Sequence, residues 1–594
     1  MSYKSYYLYI KQFSHDGTNW INVQPLTYSY DGDGTMAPVV KEEHDAVCGA
    51  MPPIYQWVDT QDTICVYEGH DYSIDYLTFE IVSSGTITWK TLEESATTKT
   101  ISYSLDSGNT WTDITSSTAG TSFNVSAGDI IKWKGENASY GQYSTSYLDC
   151  NSFGGSAYFN VYGNILSLIG GDSFENVSEF STSYVFLKLF GGSNVISAEN
   201  LVLPSFTRHA CYCDMFSGCT SLTTTPELPA TTLRDWCYYG MFRGCTSLTT
   251  APELSATTLS RGCYSSMFQN CTSLTTAPSV LPATTLASYC YNGMFWGCSS
   301  LTTAPAFTAT TVSEYSCQYM FDGCSSLTTT PIVLSAMTLA RACYFYMFQG
   351  CTSLTTAPEL PATTLAESCY EGMFQNCTSL TTAPSVLPAT TLASSCYNGM
   401  FANDYSLTNI PSVLPATICP DNCYSHMFAG CSSITTAPVI SATTLGDSAC
   451  RDMFAGCESL TTAHELSATT VSDYSCCQMF SNCSGLTSAP SILPATTLAS
   501  HCYYNMFYGC TNLTTAPELP APILVEGCYL QMFDACTRLN YIKCLATDIS
   551  ATDCTLNWSR WTSSSGTFVK ASSMNNWTTG NNGIPRGWTV RNNS

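Results

Sequence analysis

The cysteines have the most chemistry to offer in this chain of 594 residues, which holds 33 of them. They could bridge as disulfides, ligate a metal, or serve simply as small buried groups. Their spacing separates these roles. In the segment CYYGMFRGC, Cys237, Met241 and Cys245 stand at i, i+4 and i+8, which predicts a short helix with all three on one face and Phe242 beside them. Residues eight apart on a helix are separated by about 12 Å, whereas a disulfide needs Cα atoms within about 4.4–6.8 Å. Bridges between units would make losses come in pairs, and they do not. Asp404 replaces a second cysteine while Cys396 remains, and Ser316, Ala449 and Ser475 replace first cysteines while Cys324, Cys457 and Cys483 remain. Metal ligation lacks a histidine partner at ligand spacing. Most of the thiols are therefore expected to be packing groups, with no metal and no cofactor.

Two N-terminal motifs carry other chemistry. The run Asp31–Gly34, DGDG, has the residue types of a calcium turn, although a lone acidic glycine turn is usually only a turn. The stretch SLDSGNTWT, with Ser104, Asp106, Gly108, Thr110 and Trp111, resembles the Asp-box hairpin of sialidases, and SHDGTNW is a looser version. In that family the motif is a structural turn, and catalysis depends on an arginine cluster. The first 160 residues contain no arginine, so the motif is read as a β-hairpin. A glycosidase stays a distant alternative, because no acid, base and substrate-gripping set stands out. The seven histidines pair with no cysteine or carboxylate at motif spacing. The chain is expected not to be an enzyme.

A repeat positions these residues. Met-Phe recurs from Met215 to Met532 every 26 or 27 residues, and the extra residue falls in one place, as where APSVLPATTL replaces APELPATTL. An insertion confined to one place marks a loop, and a period this regular marks a solenoid whose units bury their apolar faces only against neighbours. Cys237, Met241, Phe242, Cys245 and Leu248 are the expected core of one unit. TSLTTAPEL suits a short parallel strand, along which strand alternation would leave only one row of its paired threonines facing out. The residues after Met-Phe and two before it vary from unit to unit. Tyr239, Arg243, Trp296, Phe345, Tyr504 and Tyr508 are the candidate ligand-binding residues there, since exposed aromatics and arginine are typical of binding sites.

Cys-x-x-Leu, then Leu-Pro, then an apolar-Phe pair and a closing Cys resembles the BspA-type leucine-rich repeats, which carry Ala-Phe where this chain has Met-Phe. The resemblance implies a non-catalytic adhesive surface. The expected fold class is an α+β repeat: N-terminal β-rich modules, then a leucine-rich-repeat solenoid with a short strand and a short helix per 26–27-residue coil. The expected divisions are 1–80, a β-rich attachment base; 81–160, a β-sandwich-like module; 161–200, an N-terminal cap; 201–558, the solenoid; and 559–594, a C-terminal cap.

The chain also resembles repeat proteins encoded by gut bacteriophages, crAss-like phages among them, through PPIYQWVDTQDTICVYEG, SAENLVLPSF, GTFVK and GIPRGWTV. The N-terminus MSYKSYYLYIKQFSHDG lacks the apolar core and cleavage site of a secretory signal, which favours a virion component made in the host cytoplasm over a bacterial surface adhesin binding host proteins. Twenty basic against 44 acidic residues, a net charge of −24, exclude nucleic acid as the expected partner. No apolar run is long enough to cross a bilayer. The expected partners are a bacterial surface glycan or protein and other virion proteins bound through the N-terminal modules. A homotrimer is compatible with a fibre.

Overall fold

The computed structural model describes residues 2–14, 21–22, 28–29, 54–68, 71–92, 97–143 and 148–593. The chain forms two compact units, Met1–Ser73 and Ile74–Ser594. In the first, β1 (Ser2–Ser14) pairs antiparallel with β2 (Ile21–Asn22), β3 (Tyr28–Ser29) and β4 (Ile54–Glu68), with a register shift between Tyr7 and Tyr9. The DGDG run lies outside the described residues, as does most of SHDGTNW.

The second unit opens with a sandwich of two sheets. One carries β5 (Leu77–Ser83), β7 (Thr100–Ser104), β8 (Thr112–Thr115), β10 (Ile130–Lys134) and β13 (Tyr158–Asn164). The other carries β6 (Gly85–Thr91), β9 (Thr121–Val125), β11 (Gly141–Tyr143) and β12 (Leu148–Gly154). Alternation turns Phe79, Trp89, Trp133 and Phe153 inward, all fully buried, with Phe153 4.7 Å from Trp89 and 4.9 Å from Trp133 between ring centres. The Asp-box residues form the β7–β8 turn. Asp106 accepts from the Thr110 N–H at 2.8 Å, from the Thr110 hydroxyl at 2.7 Å and from the Ser104 hydroxyl at 2.7 Å. These bonds hold its carboxyl well below the ordinary carboxylate value, at about 2. A group with a depressed folded pKa adds stability above its unfolded value and loses it as pH falls through the folded one. The hairpin amides are therefore expected to lose hydrogen-exchange protection between about pH 4 and pH 2, and Asp106→Asn to remove that pH dependence.

From Ile165 the chain winds into the solenoid, and there the expected helix is absent. Among the described residues the one α-helix is the single turn Ser167–Gly170, outside the repeats. The Cys-to-Cys segment is instead a ribbon of overlapping turns with a period of four. Alternate amides bond locally: Cys237, Tyr239, Met241, Arg243 and Cys245 donate to the carbonyls three residues back. The amides between them donate to the next coil, Tyr238 to Cys263, Gly240 to Ser265, Phe242 to Met267 and Gly244 to Gln269. Half the amides are thus committed between coils, and none is left for a ladder to the fourth residue back. Every fourth residue has positive φ, as at Trp236, Gly240 and Gly244. Three residues after each Met this conformation falls on glycine or asparagine through Gly509, the residue types that adopt it most readily.

The ribbon turns two adjacent residues inward per period. Cys237, Met241, Phe242, Cys245 and Leu248 are fully buried, as are their counterparts along the array. The phenylalanines stack in one column from Phe190 to Phe533, with neighbouring centroids 5.0 Å apart at Phe190–Phe216 and 5.4–5.8 Å beyond. A short parallel strand closes each coil, for example Val280–Leu281 on Ala306–Phe307. Bridges such as Thr250 to Thr276 continue it. Both threonines of each pair are exposed at Thr249–Thr250 and Thr275–Thr276, contrary to the expectation of a single outward row. The strand is too short to alternate there, and the first hydroxyl turns sideways to the preceding coil, as Thr275 does to the Thr249 carbonyl at 3.1 Å.

The sandwich seals the first coil. β13 pairs in parallel with β14 (Val195–Ser197) and β15 (Leu201–Val202), while the Tyr140 and Phe153 amides donate to the ribbon carbonyls of Val185 and Leu189. The start of the array therefore leaves no open edge there. At the far end Trp558 occupies the methionine position, buried, with its indole N–H donating to the Gly583 carbonyl at 2.9 Å and Trp577 stacked on it at 5.5 Å. Thr567–Lys570 and Thr589–Asn592 extend the parallel sheet beyond it.

Candidate functional site

Each period of the ribbon points two residues in and two out, so the outward positions form a face one coil high per unit. Tyr239 and Arg243 are half-buried there, as are Phe345, Tyr504 and Tyr508, while Trp296 is the one candidate classed as exposed. The structure does not gather the six at one point. Tyr239 and Arg243 share the second coil, with the guanidinium 6.0 Å from the ring centre. Trp296 stacks on Tyr319 at 5.7 Å, and Tyr319 meets Phe345 edge-on at 5.6 Å. Tyr504 and Tyr508 stand near the far end, where Tyr504 meets His501 at 6.1 Å.

The sequence reading missed a second set of outward rings in the positive-φ row five before Met, Trp236, Tyr289, Tyr315 and Tyr474, with small or polar residues at most other coils. Tyr289 and Tyr315 stack there at 4.9 Å. Where Gly262 interrupts the row, Trp236 and Tyr289 approach to 6.4 Å and the Arg261 guanidinium sits 5.8 and 5.4 Å from their centres. Because such rings stack along the array, their faces are largely spent on each other and their rims meet solvent. An open ring face is left where a ring borders a break in the row, and small residues break it at several coils.

One such break lies at the first coils. Ala210 and Cys213 are the small outward residues of one coil, flanked by Tyr184 and Lys188 before and by Trp236, Tyr239 and Arg243 after. Between them lies a hollow of about 540 Å³. Asp214 forms its floor, nearly buried, with Arg243 at 3.0 Å. Burial raises the Asp214 pKa, and Arg243 and Lys188 act against that rise. Gly240 leaves the room that Asp214 needs, since a Cβ there would collide with the carboxylate. Tyr184 bonds His209 at 3.0 Å across the upper edge. No motif announces the hollow in sequence; its signal is a coil with small residues at both outward positions.

The interior offers no reactive group. The cysteines of the array, Cys211 to Cys554, form no disulfide and are buried, and burial pushes the second thiol of each unit up, that of Cys271 to about 12. The second cysteine of each unit donates instead to a phenylalanine carbonyl of the preceding coil, as Cys245 does to Phe216 at 3.2 Å and Cys271 to Phe242 at 3.0 Å. Among the described residues no group of three or more His, Cys, Asp or Glu is placed to hold a metal ion. A maleimide reagent is therefore expected to modify no array cysteine in the native chain and all of them after unfolding, as read by peptide mapping.

The fold brings one histidine to a carboxylate that spacing did not reveal. Ser425 Oγ lies 2.8 Å from His426 Nδ1, and His426 Nε2 lies 3.4 Å from Asp452, one coil on. The serine is only 3% exposed, and Arg451 neutralises Asp452 at 3.2 Å. A nucleophile must reach a substrate carbonyl and its base needs a carboxylate to orient it; here the serine is buried, and the carboxylate is already held by Arg451. It is a packed polar cluster of the ribbon.

The family description BspA type leucine-rich repeat region matches residues 210–354 and 317–461, in six copies. A solved structure of a leucine-rich repeat protein from Bacteroides ovatus is similar over 68% of this chain and 98% of that chain, at 18% identity and a TM-score of 0.38. No curated protein matches. No enzyme family is identified, and the repeat solenoid is a fold typical of non-catalytic binding scaffolds.

Proposed function

We propose that this chain, whose residues 210–461 carry BspA-type leucine-rich repeats, is a non-catalytic phage virion protein that displays the outer face of its turn ribbon to a glycan or protein on a bacterial surface. One observation carries the adhesive reading. The inward residue pairs of the ribbon are nearly invariant, while the outward positions range over Arg243, Trp296, Phe345 and Tyr508. A rigid core presenting a freely varied surface suits recognition. The virion setting rests on the likeness to gut-phage repeat proteins, with the N-terminal modules as attachment base. A bacterial surface adhesin is the alternative, with the same binding face.

The test is binding of the labelled full chain to gut bacteria before and after their surface polysaccharide is stripped. Binding that disappears on stripping supports a glycan receptor, and binding that survives it supports a protein receptor. Binding to no strain, with the chain present in purified particles, would make the array a structural element and end the adhesive reading.

A further inference from the structure

We infer that the hollow over Ala210, between Tyr184 and Trp236, is a slot for a carboxylate-bearing pyranose, a uronic acid unit of a surface polysaccharide. This rests on the adhesive reading above and gives it a place and a ligand class.

Four observations converge. The first is shape. Coils in a parallel ladder are about 4.8 Å apart, so the aromatic positions of Tyr184 and Trp236, two coils apart, leave roughly the thickness of one flat ring between them. At Gly262 the same interval is closed by converging rings and by Arg261, whereas at Ala210 it stays open. The second is that Trp236 lies against Gly262 on one side and lines the hollow on the other, so an indole face is available for the C–H groups of a pyranose. A volume of about 540 Å³ falls within the range of small-ligand sites.

The third is charge. In a chain of net charge −24, the solenoid cations crowd onto its first coils: Lys188, Arg208, Arg234, Arg243 and Arg261 precede residue 265, and only Arg341 and Arg451 follow before Arg538. Lys188 and Arg243 both line the hollow, against the single carboxylate of Asp214. The Arg243 guanidinium lies 3.0 Å from Asp214, an ion pair that holds its charge at the hollow. The fourth is the polar rim. His209 and the Tyr184 hydroxyl stand at the upper edge, placed for sugar hydroxyls. A neighbouring hollow of about 650 Å³ shares His209 and adds Arg208 and Arg234 beside Glu179 and Asp235, a charge-balanced surface for the next, neutral sugar of a chain. An acidic peptide would satisfy the cations but has no use for the flat aromatic walls.

The experiment titrates the full chain with D-glucuronate and D-glucose, by calorimetry and saturation-transfer NMR. Glucuronate is expected to bind with a Kd of about 1 mM and glucose at least about tenfold more weakly. Arg243→Gln should remove that preference. Ala210→Tyr should abolish binding of both sugars by closing the slot; φ at Ala210 is 49°, a conformation that Tyr289 and Tyr315 already adopt at the same position, so the ribbon should keep its hydrogen-exchange protection. Equal affinity for the two sugars, or binding that persists in Ala210→Tyr, would overturn the assignment, as would tetraglutamate binding more tightly than glucuronate. The two readings fail separately. Cells bound without glucuronate binding would overturn the slot alone, and glucuronate bound without any cell binding would overturn the adhesive role alone.

Discussion

Asp404→Cys is expected to stabilise the array by about 2–3 kcal/mol at pH 7, an unusual gain for a single substitution. Asp404 takes the place of the second cysteine in its unit and is completely buried. One carboxylate oxygen accepts from the Cys377 N–H at 2.7 Å, and the other has no partner. Elsewhere a thiol at this position donates to a phenylalanine carbonyl of the preceding coil; here Phe374 lacks that donor. Burial raises the Asp404 pKa well above the ordinary carboxylate value, against a smaller lowering by the Cys377 amide. A carboxyl whose folded pKa is raised binds more protons folded than unfolded, so stability falls as pH rises above the unfolded value, near 4. The advantage of Asp404→Cys should therefore be largest at neutral pH and shrink toward pH 4, with Asp404→Asn giving a smaller gain that shrinks over the same range. Hydrogen exchange of the amides at residues 374–431 reads this locally. A gain that does not change between pH 4 and pH 7 would show that the charge is not the cause.

Asp404 also shows what the sequence could and could not disclose. That it replaces a cysteine is visible in sequence, as it is for Ser316, Ala449 and Ser475, and spacing alone does not tell these replacements apart. Only the coil-to-coil thiol bond reveals that a donor was exchanged for an acceptor. The repeat period, the inward cysteines and the Met-Phe core follow directly from spacing, because stacked coils demand the same residue at the same place. The helix did not follow. At about 100° per residue a helix would also gather Cys237, Tyr238, Met241, Phe242 and Cys245 on one arc of about 140°, so the burial pattern alone does not separate a helix from this ribbon. The glycine or asparagine three residues after each Met was the available signal for the left-handed turns. The joining of sandwich to solenoid rests on backbone bonds from Tyr140 and Phe153, which no side-chain pattern announces. The slot over Ala210 exists because two neighbouring coils carry large residues where it carries small ones, and that becomes a hollow only once the outward positions are known.

The ring column supplies the largest loss. Phe348 is fully buried, 5.4 Å from Phe321 and 5.6 Å from Phe374 with nearly parallel planes, and its amide donates to Met373 while its carbonyl accepts from Cys351. Phe348→Ala is expected to cost about 3–5 kcal/mol, from lost transfer energy and the cavity left behind. Phe348→Leu, closer in volume, should cost much less. The consequence extends beyond one residue because a solenoid is held by interfaces between neighbours. Weakening one coil in the middle lowers two such interfaces and lets the halves unfold separately. Denaturation of Phe348→Ala should therefore separate into two transitions, with amides of residues 321–374 losing protection first, whereas the same change at Phe533, beside the C-terminal cap, should fray one end and leave the main transition in place. Trp296→Ala, on the outer face, should stay within about 0.5 kcal/mol. If Phe348→Ala instead unfolds in a single step with protection lost uniformly, the array is one cooperative unit and the ring column does not divide it.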